Sequence, residues 1–274
     1  MAFSNTVSTF RALHQAGKPF ILANAWDAGS AKLLTALGAQ AIATTSAGHA
    51  FTLGVKDMGE ITLEQSLAHA KILMLSTPLP VSGDLENGYG HRPETVAKTI
   101  TAAGAIGLAG ACIEDTALPD LTPYAFEHTV ERIEAAADAA QALETDFVLT
   151  ARADGIMLNQ YDLPEAIRRI KAFESAGADV IYVPMPHSME DLNTICAAVD
   201  IPVNALAAGP FAKYTVQEFA NIGVARISLG SALARITHAA IINASKAMFL
   251  EGDLSPLLAG VGGDEIEALF DLAK

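Results

Sequence analysis

A chain of 274 residues can bury a large core, and a single α/β barrel routinely fills that length, so one domain over residues 1–274 is expected. Thirty-one Asp and Glu against seventeen Lys and Arg give a formal charge of -14, which opposes nucleic acid and anionic membrane as partners and leaves small molecules. The 51% hydrophobic content argues against disorder, and neither a basic-then-apolar leader nor a bilayer-length apolar run is present, so a cytoplasmic protein is expected.

The first residues, about 4–16, read as a helix closing a barrel floor. Short apolar, β-branched runs follow in order: FILANAW (20–26), AIATTS (41–46), PVSGDLE (80–86), LAGACIED (108–115), FVLTARAD (147–154), VIYVPM (180–185), PVNAL (202–206) and ARISLG (225–230). Between them lie helical patterns such as LEQSLAHAKILML, ETVAKTITAAGA, VERIEAAADAAQAL and PEAIRRIKAFESAGA, several closing on a glycine suited to a helix C-cap. The order is strand then helix throughout, with spacings of one βα unit, so the expected fold is a (β/α)8 TIM barrel. A doubly wound open sheet is the alternative, but no GxGxxG or GxxxxGK[ST] turn occurs. The end, about 253–274, is an amphipathic helical appendage whose Leu254, Leu257, Leu258, Ile266, Leu269 and Phe270 suit packing on a second subunit. Cys112 and Cys196 form no CxxC or disulfide framework and read as reduced thiols.

Catalytic groups of such barrels sit where strands end, which makes the polar residues there the candidates. Asp84 and Glu86 are two apart on one predicted strand, so alternation turns both to the same face, and Glu114 ends the next strand. Three carboxylates then converge, and an all-oxygen donor set without His or Cys favours Mg²⁺, with Mn²⁺ possible, over Zn²⁺. Helix capping or pairing with Arg and Lys is the competing reading for any one of them. Arg152 ends strand five, where its planar fork suits a substrate carboxylate or an ion pair with Glu114. Ser46, Ala47 and Gly48 offer a hydroxyl and backbone N–H groups to a carboxylate or ketone oxygen, and Asn204 ends strand seven as a further substrate-binding candidate. His91 and His187 fall on predicted loops as possible proton donors beside water, and no predicted strand carries a Schiff-base lysine.

Taken together, NAWDAGSA (24–31), TTSAGHA (44–50), LGVKD (53–57), GDLENGYG (83–90), CIED (112–115) and TARADG (150–155) resemble the isocitrate lyase/phosphoenolpyruvate mutase superfamily over most of the chain. The resemblance implies that Asp84 is the direct Mg²⁺ ligand, that Glu86 and Glu114 hold the ion directly or through water, and that Asp57 supports its water shell. It further implies that Ser46, Ala47 and Gly48 bind the oxygens of a 2-oxo acid, that Arg152 orients it, and that Arg152, Glu114 and Asp57 form the catalytic set. Members of this superfamily chelate a 2-oxo acid and stabilise an enolate as a C–C or C–P bond breaks, and they form homo-oligomers, tetramers or dimers, with the eighth helix swapped between subunits.

The loop after strand four, DTALPDLTPYAFEHTVERI, lacks the KxCGH of isocitrate and methylisocitrate lyases, and the Lys/Asn gate of the mutases is not recognisable. The expectation is therefore a Mg²⁺-dependent lyase of the oxaloacetate-decarboxylase-like branch acting on a small 2-oxo acid. The alternatives are a phosphonopyruvate-type C–P mutase or hydrolase, a methylisocitrate-lyase-like enzyme and a non-catalytic metabolite-binding barrel.

Overall fold

Strand alternation sorts side chains to two faces, and in this chain the two faces have different fates. The computed structural model describes residues 10–273. Eight parallel strands are β1 (Phe20–Asn24), β2 (Ala41–Ala43), β3 (Val81–Asp84), β4 (Gly110–Glu114), β5 (Val148–Arg152), β6 (Val180–Tyr182), β7 (Val203–Leu206) and β8 (Arg226–Ser228). Each pairs with its sequence neighbour, and β8 pairs back to β1 with Phe20 opposite Arg226, closing the barrel. Each of the eight predicted strand segments contains one of these strands.

One parity, including Ala23, Ile42, Val81, Ile113, Leu149, Ile181, Val203 and Ile227, faces the surrounding helices and forms the main core. The opposite parity fills the barrel. Its lower part is apolar, with Phe20, Leu22, Ala41, Ala43, Val148 and Val180 packed around Phe10, which rises from the floor and is fully buried. A Cβ at Gly110 would stand 2.4 Å from Val148 O and 3.1 Å from a Phe10 ring carbon, so only glycine lets β4 pass this plug. Higher up the same parity turns polar, through Asn24, Ser82, Asp84, Cys112, Glu114, Thr150, Arg152, Asn204 and Ser228, while Arg226, opposite Phe20, stands at the level of the floor.

The helices are α1 (Ala28–Ala36), α2 (Ser46–Leu53), α3 (Leu63–Ser76), α4 (Pro93–Ala105), α5 (Phe126–Gln141), α6 (Leu163–Ser175), α7 (Met189–Ala197), α8 (Val216–Asn221), α9 (Ala232–Lys246) and α10 (Gly263–Leu272). Asp27, Thr45, Thr62, Asp162, Ser188 and Thr215 cap six of them with side-chain oxygens, each such cap contributing about 1 kcal/mol. Of the predicted N-terminal helix, residues 10–12 are helical and residues 4–9 lie outside the described residues. The predicted C-terminal appendage contains a short turn of 3₁₀ helix at Ser255–Ala259 and then α10, which returns to α1 and sets Phe270 beside Gly29 and 5.6 Å beneath the Lys32 ammonium. After β4 the chain forms a small antiparallel hairpin, Thr116–Ala117 with Thr122–Pro123. Among the described residues no helix is long and apolar enough to cross a membrane.

Candidate functional site

At the C-terminal ends of the strands the polar half of the barrel opens into a cavity of about 180 Å³. Ser46, Ala47, Asp57, Asp84, Arg152 and Asn204 line it, together with Asn24, Thr44, Cys112, Tyr182, Arg226 and Ser228. Six of the predicted site residues therefore share one cavity, drawn from five different parts of the sequence.

Asp84 is the last residue of β3, and its carboxylate is held from three sides. It accepts from the Ser46 N–H at 2.9 Å, from Arg152 Nη1 at 3.1 Å and from the Cys112 thiol at 3.4 Å. The Ser46 contact exists because Thr45, at the N-cap of α2, turns the first backbone N–H of that helix toward the barrel axis, where the helix dipole favours an anion. Thr45 Oγ1 takes the Gly48 N–H for its own cap, at 3.2 Å, and Gly48 does not line the cavity. A Cβ at Gly48 would lie 2.5 Å from the Thr45 methyl and 3.0 Å from Trp26 Cβ, so this glycine serves close packing. Of the predicted SAG segment this leaves the Ala47 N–H as the open donor, the Ser46 hydroxyl being directed to Asp57.

Glu86 corrects the strand argument. β3 ends at Asp84, and Glu86 lies in the following turn at φ 48, so period-two alternation does not place it. It reaches the acid cluster through that left-handed turn, is 4% exposed and accepts from the Gly59 N–H at 3.3 Å. Burial and the charge of Asp84 push its carboxyl up to about 7. Burial likewise raises Glu114 and Asp57, with Asp154 and Asp84 adding to the effect on Glu114 and Asp84 to that on Asp57.

The expected convergence of three carboxylates is also modified. Among the described residues no group of three or more His, Cys, Asp or Glu side chains stands close enough to hold a cation unaided. The reason is Arg152, whose guanidinium lies among the acids at 3.1 Å from Asp84, 3.3 Å from Glu114 and 2.6 Å from Asp154. Asp154, fully buried, grips it with both oxygens and was not singled out from the sequence. Burial works against the charge of Arg152, but Asp154, Glu114 and Asp84 outweigh it and keep the guanidinium firmly cationic.

A hard divalent cation fits this donor set. Asp57 Oδ1 and Glu114 Oε1 are buried oxygens without a hydrogen-bond partner, and the four acids offer only hard oxygen donors. Mg²⁺ keeps several waters and needs few direct protein ligands, which suits acids that do not themselves close into a group of three.

The turn carrying Glu86 is fixed from outside the cavity. Arg132, fully buried on α5, donates to the carbonyls of Asn87, Gly90 and His91 and lies 4.0 Å over the Tyr124 ring. Arg169 on α6 and the Tyr161 hydroxyl, at 2.9 and 2.7 Å, hold Asp115, which in turn accepts the Asp154 N–H at 2.8 Å. Both arginines occupy the buried face of their helices, beside Ile133 and Ile170. That out-of-pattern charge is the sequence signal that would have found them.

Neither His91 nor His187 lines the cavity: His91 is bonded to the Tyr124 hydroxyl at 2.9 Å, and His187 is exposed. Asn204 does line it, but its amide is already held, donating to Ser228 Oγ at 2.9 Å and accepting from Arg226 Nε at 2.8 Å.

The pH behaviour of Glu86 gives a first test. In the metal-free protein its folded pKa is above its unfolded one, so its contribution to stability is full below about pH 4.5 and is lost as pH rises through about 7. Glu86→Gln should therefore raise the stability of the metal-free protein at pH 8 by about 3 kcal/mol and change little at pH 4.5. Paired melting curves of variant and wild type read this difference directly. They also cancel His14 and His49, which burial pushes down to about 3 and about 4 and which act in the opposite sense.

A parallel eight-stranded barrel with a small charged cavity at its C-terminal strand ends is a TIM barrel built to bind a small polar molecule in the position where this fold carries its active sites. The sequence profile of the phosphoenolpyruvate phosphomutase family matches residues 10–249. The chain belongs to that family, within the isocitrate lyase/phosphoenolpyruvate mutase superfamily. Its backbone is similar to a candidate lyase/mutase from Burkholderia cenocepacia J2315, at a TM-score of 0.94 and 40% identity, covering 98% of this chain and 96% of the other. An oxaloacetate decarboxylase of Paraburkholderia xenovorans strain LB400 is 33% identical over 195 residues, 66% of this chain and 62% of the relative. A structure of oxaloacetate acetylhydrolase with the product oxalate aligns at a TM-score of 0.85 and 27% identity, covering 99% and 94% of the two chains. Members of this superfamily are lyases or mutases acting on small acids.

Proposed function

We propose that this protein is a divalent-cation-dependent lyase that breaks a C–C bond of a small 2-oxo acid, in the manner of an oxaloacetate decarboxylase. The observation that carries the reading is one small cavity lined by Asp84, which accepts the first N–H of α2 at 2.9 Å and is paired with Arg152 at 3.1 Å. Asp84, with Glu86, Glu114 and Asp57 around it, would hold the cation, Mg²⁺ or Mn²⁺. The bound ion supplies positive charge that polarises the ketone and offsets the negative charge developing as the bond breaks.

The chain's own groups do the rest. The Ala47 N–H binds a carboxylate or ketone oxygen at the positive end of α2. Arg152, beside Asp84, orients the acid, and Asp154 fixes its fork by two hydrogen bonds so that little order remains to be imposed on binding. With His91 and His187 away from the cavity, the proton that completes turnover comes from water or from a cavity hydroxyl.

The test is an NMR screen of oxaloacetate, a methylisocitrate-type acid and phosphonopyruvate, each with Mg²⁺ and with chelator. Mg²⁺-dependent loss of CO₂ or of a two-carbon unit from oxaloacetate is expected. Turnover of phosphonopyruvate alone would move the chain to C–P chemistry. Oxalate binding without any turnover would make it a binding barrel.

A second copy of the chain is the partner this reading implies. Of α9 only Ala234 is buried, while Ile236, Ile241, Ile242 and, just beyond it, Phe249 and Leu250 are exposed, as a helix swapped between subunits requires. Light scattering should give the mass of a dimer or tetramer, and a monomer would count against the swap.

A further inference from the structure

Arg226 is the first residue of β8 and stands on the inward parity of the barrel, level with its register partner Phe20 in the otherwise apolar floor. Arg226 is 3% exposed and donates from Nε to Asn204 Oδ1 at 2.8 Å, from Nη2 to Thr150 Oγ1 at 3.0 Å and from Nη1 to His14 Nε2 at 3.2 Å. All three acceptors are neutral. His14 is so because burial and the charge of Arg226 push its imidazole down to about 3, and its Nδ1, 3.0 Å from Phe10 O, carries the proton and leaves Nε2 to accept.

Among the described residues no carboxylate lies within ion-pair distance of Arg226, whereas Arg11, Arg152, Arg168 and Arg169 each have at least one. A buried guanidinium without a counter-charge retains its full desolvation cost. Three of its five N–H donors are used by these bonds, and the group lines the same cavity as Asp84 and Ser46. The small side chains of Ala43, Ser82 and Cys112, also lining the cavity, leave the space between the two ends open. The cavity is therefore polarised, with Asp57 and Asp84 at its mouth and a lone cation at its base.

We propose that Arg226 is a specificity-determining residue, its unpaired guanidinium receiving a second anionic group, so that the cavity takes 2-oxo acids with a carboxylate at each end in preference to 2-oxo monocarboxylates. This rests on the 2-oxo-acid reading above and adds the residue that selects the far end of the substrate. Asn204 then acts as a positioning residue, since its carbonyl oxygen orients the guanidinium plane.

The experiment is calorimetric titration, in the presence of Mg²⁺, with oxalate and with the matched pair 2-oxoglutarate and 2-oxopentanoate, which have the same chain length and differ in a terminal carboxylate or methyl group. The wild type should bind 2-oxoglutarate at least about tenfold more tightly than 2-oxopentanoate. Arg226→Met should bring that ratio to about one, and Arg226→Lys, which keeps the charge but loses the fork, should retain part of it. A wild-type ratio of one overturns the inference whatever the variants do, and so does an unchanged ratio in either folded variant. If Arg226→Met does not fold, the wild-type and Arg226→Lys ratios decide. Oxalate binding with a ratio of one sinks this inference alone, while no oxalate binding sinks the 2-oxo-acid reading and this inference with it.

Discussion

Asp84→Asn should lower Mg²⁺-dependent turnover by about 10²–10³-fold while leaving the fold in place, since one preorganised electrostatic contact to developing charge is worth that much. The substitution keeps the shape of the side chain, and its one remaining carbonyl oxygen can still accept the Ser46 N–H that now stands 2.9 Å away. The charge is lost, however, and Arg152 is left with Glu114 and Asp154 alone. Circular dichroism and the melting temperature serve as fold controls, and Mg²⁺ affinity measured by titration should fall in parallel with turnover. An Asp84→Asn protein with undiminished metal-dependent turnover would falsify the placement of the ion.

Arg152→Gln should be the most destabilising change at the site. Among the described residues Arg152 is the one cation within ion-pair distance of Asp84, Glu114 and Asp154, which are themselves largely or wholly buried. Removing one partner of a buried ion pair costs about 3–5 kcal/mol, because the remaining charge is left without compensation. For a barrel of this size that corresponds to a melting temperature lower by roughly 6–20 °C. The loss should be largest in metal-free protein at pH 8 and smaller at pH 5, where Glu114, raised well above the ordinary carboxylate range, and Asp154, pushed up to about 6, take up protons instead. Arg152→Lys should recover part of the stability but not the two-point contact with Asp154. An unchanged melting temperature in Arg152→Gln at pH 8 would show that the acids are compensated from elsewhere.

Gln160, from the loop after β5, donates to Leu121 O in the hairpin after β4, so these two loops are tied together.

Much of the site was legible in advance, and the boundary between what was and what was not has a physical basis. Strand alternation and turn residues identified all eight strands, and strand ends in a parallel barrel are forced to face one common space. Asp84, Arg152, Ser46, Ala47 and Asn204 were found on that ground alone. Glu86 was expected beside Asp84 for the wrong reason, because the strand stops two residues earlier than its apolar run suggests and a left-handed turn brings the carboxylate in. Gly48 was read as an open donor, but its N–H is consumed by the Thr45 cap, a competition that only the helix start reveals.

What the sequence by itself determined was the count and order of the elements and which face of each strand is polar, since these depend on near-neighbour sterics and on the periodicity of burial. What only the tertiary structure decided was the pairing of charges. Arg152 could have faced a substrate or its own acids, and it holds three of them. Arg132 went to backbone carbonyls. Arg226 went to neutral acceptors at the base of the cavity. Ion pairing depends on distances between segments far apart in the chain, and no local pattern encodes those distances until the barrel closes.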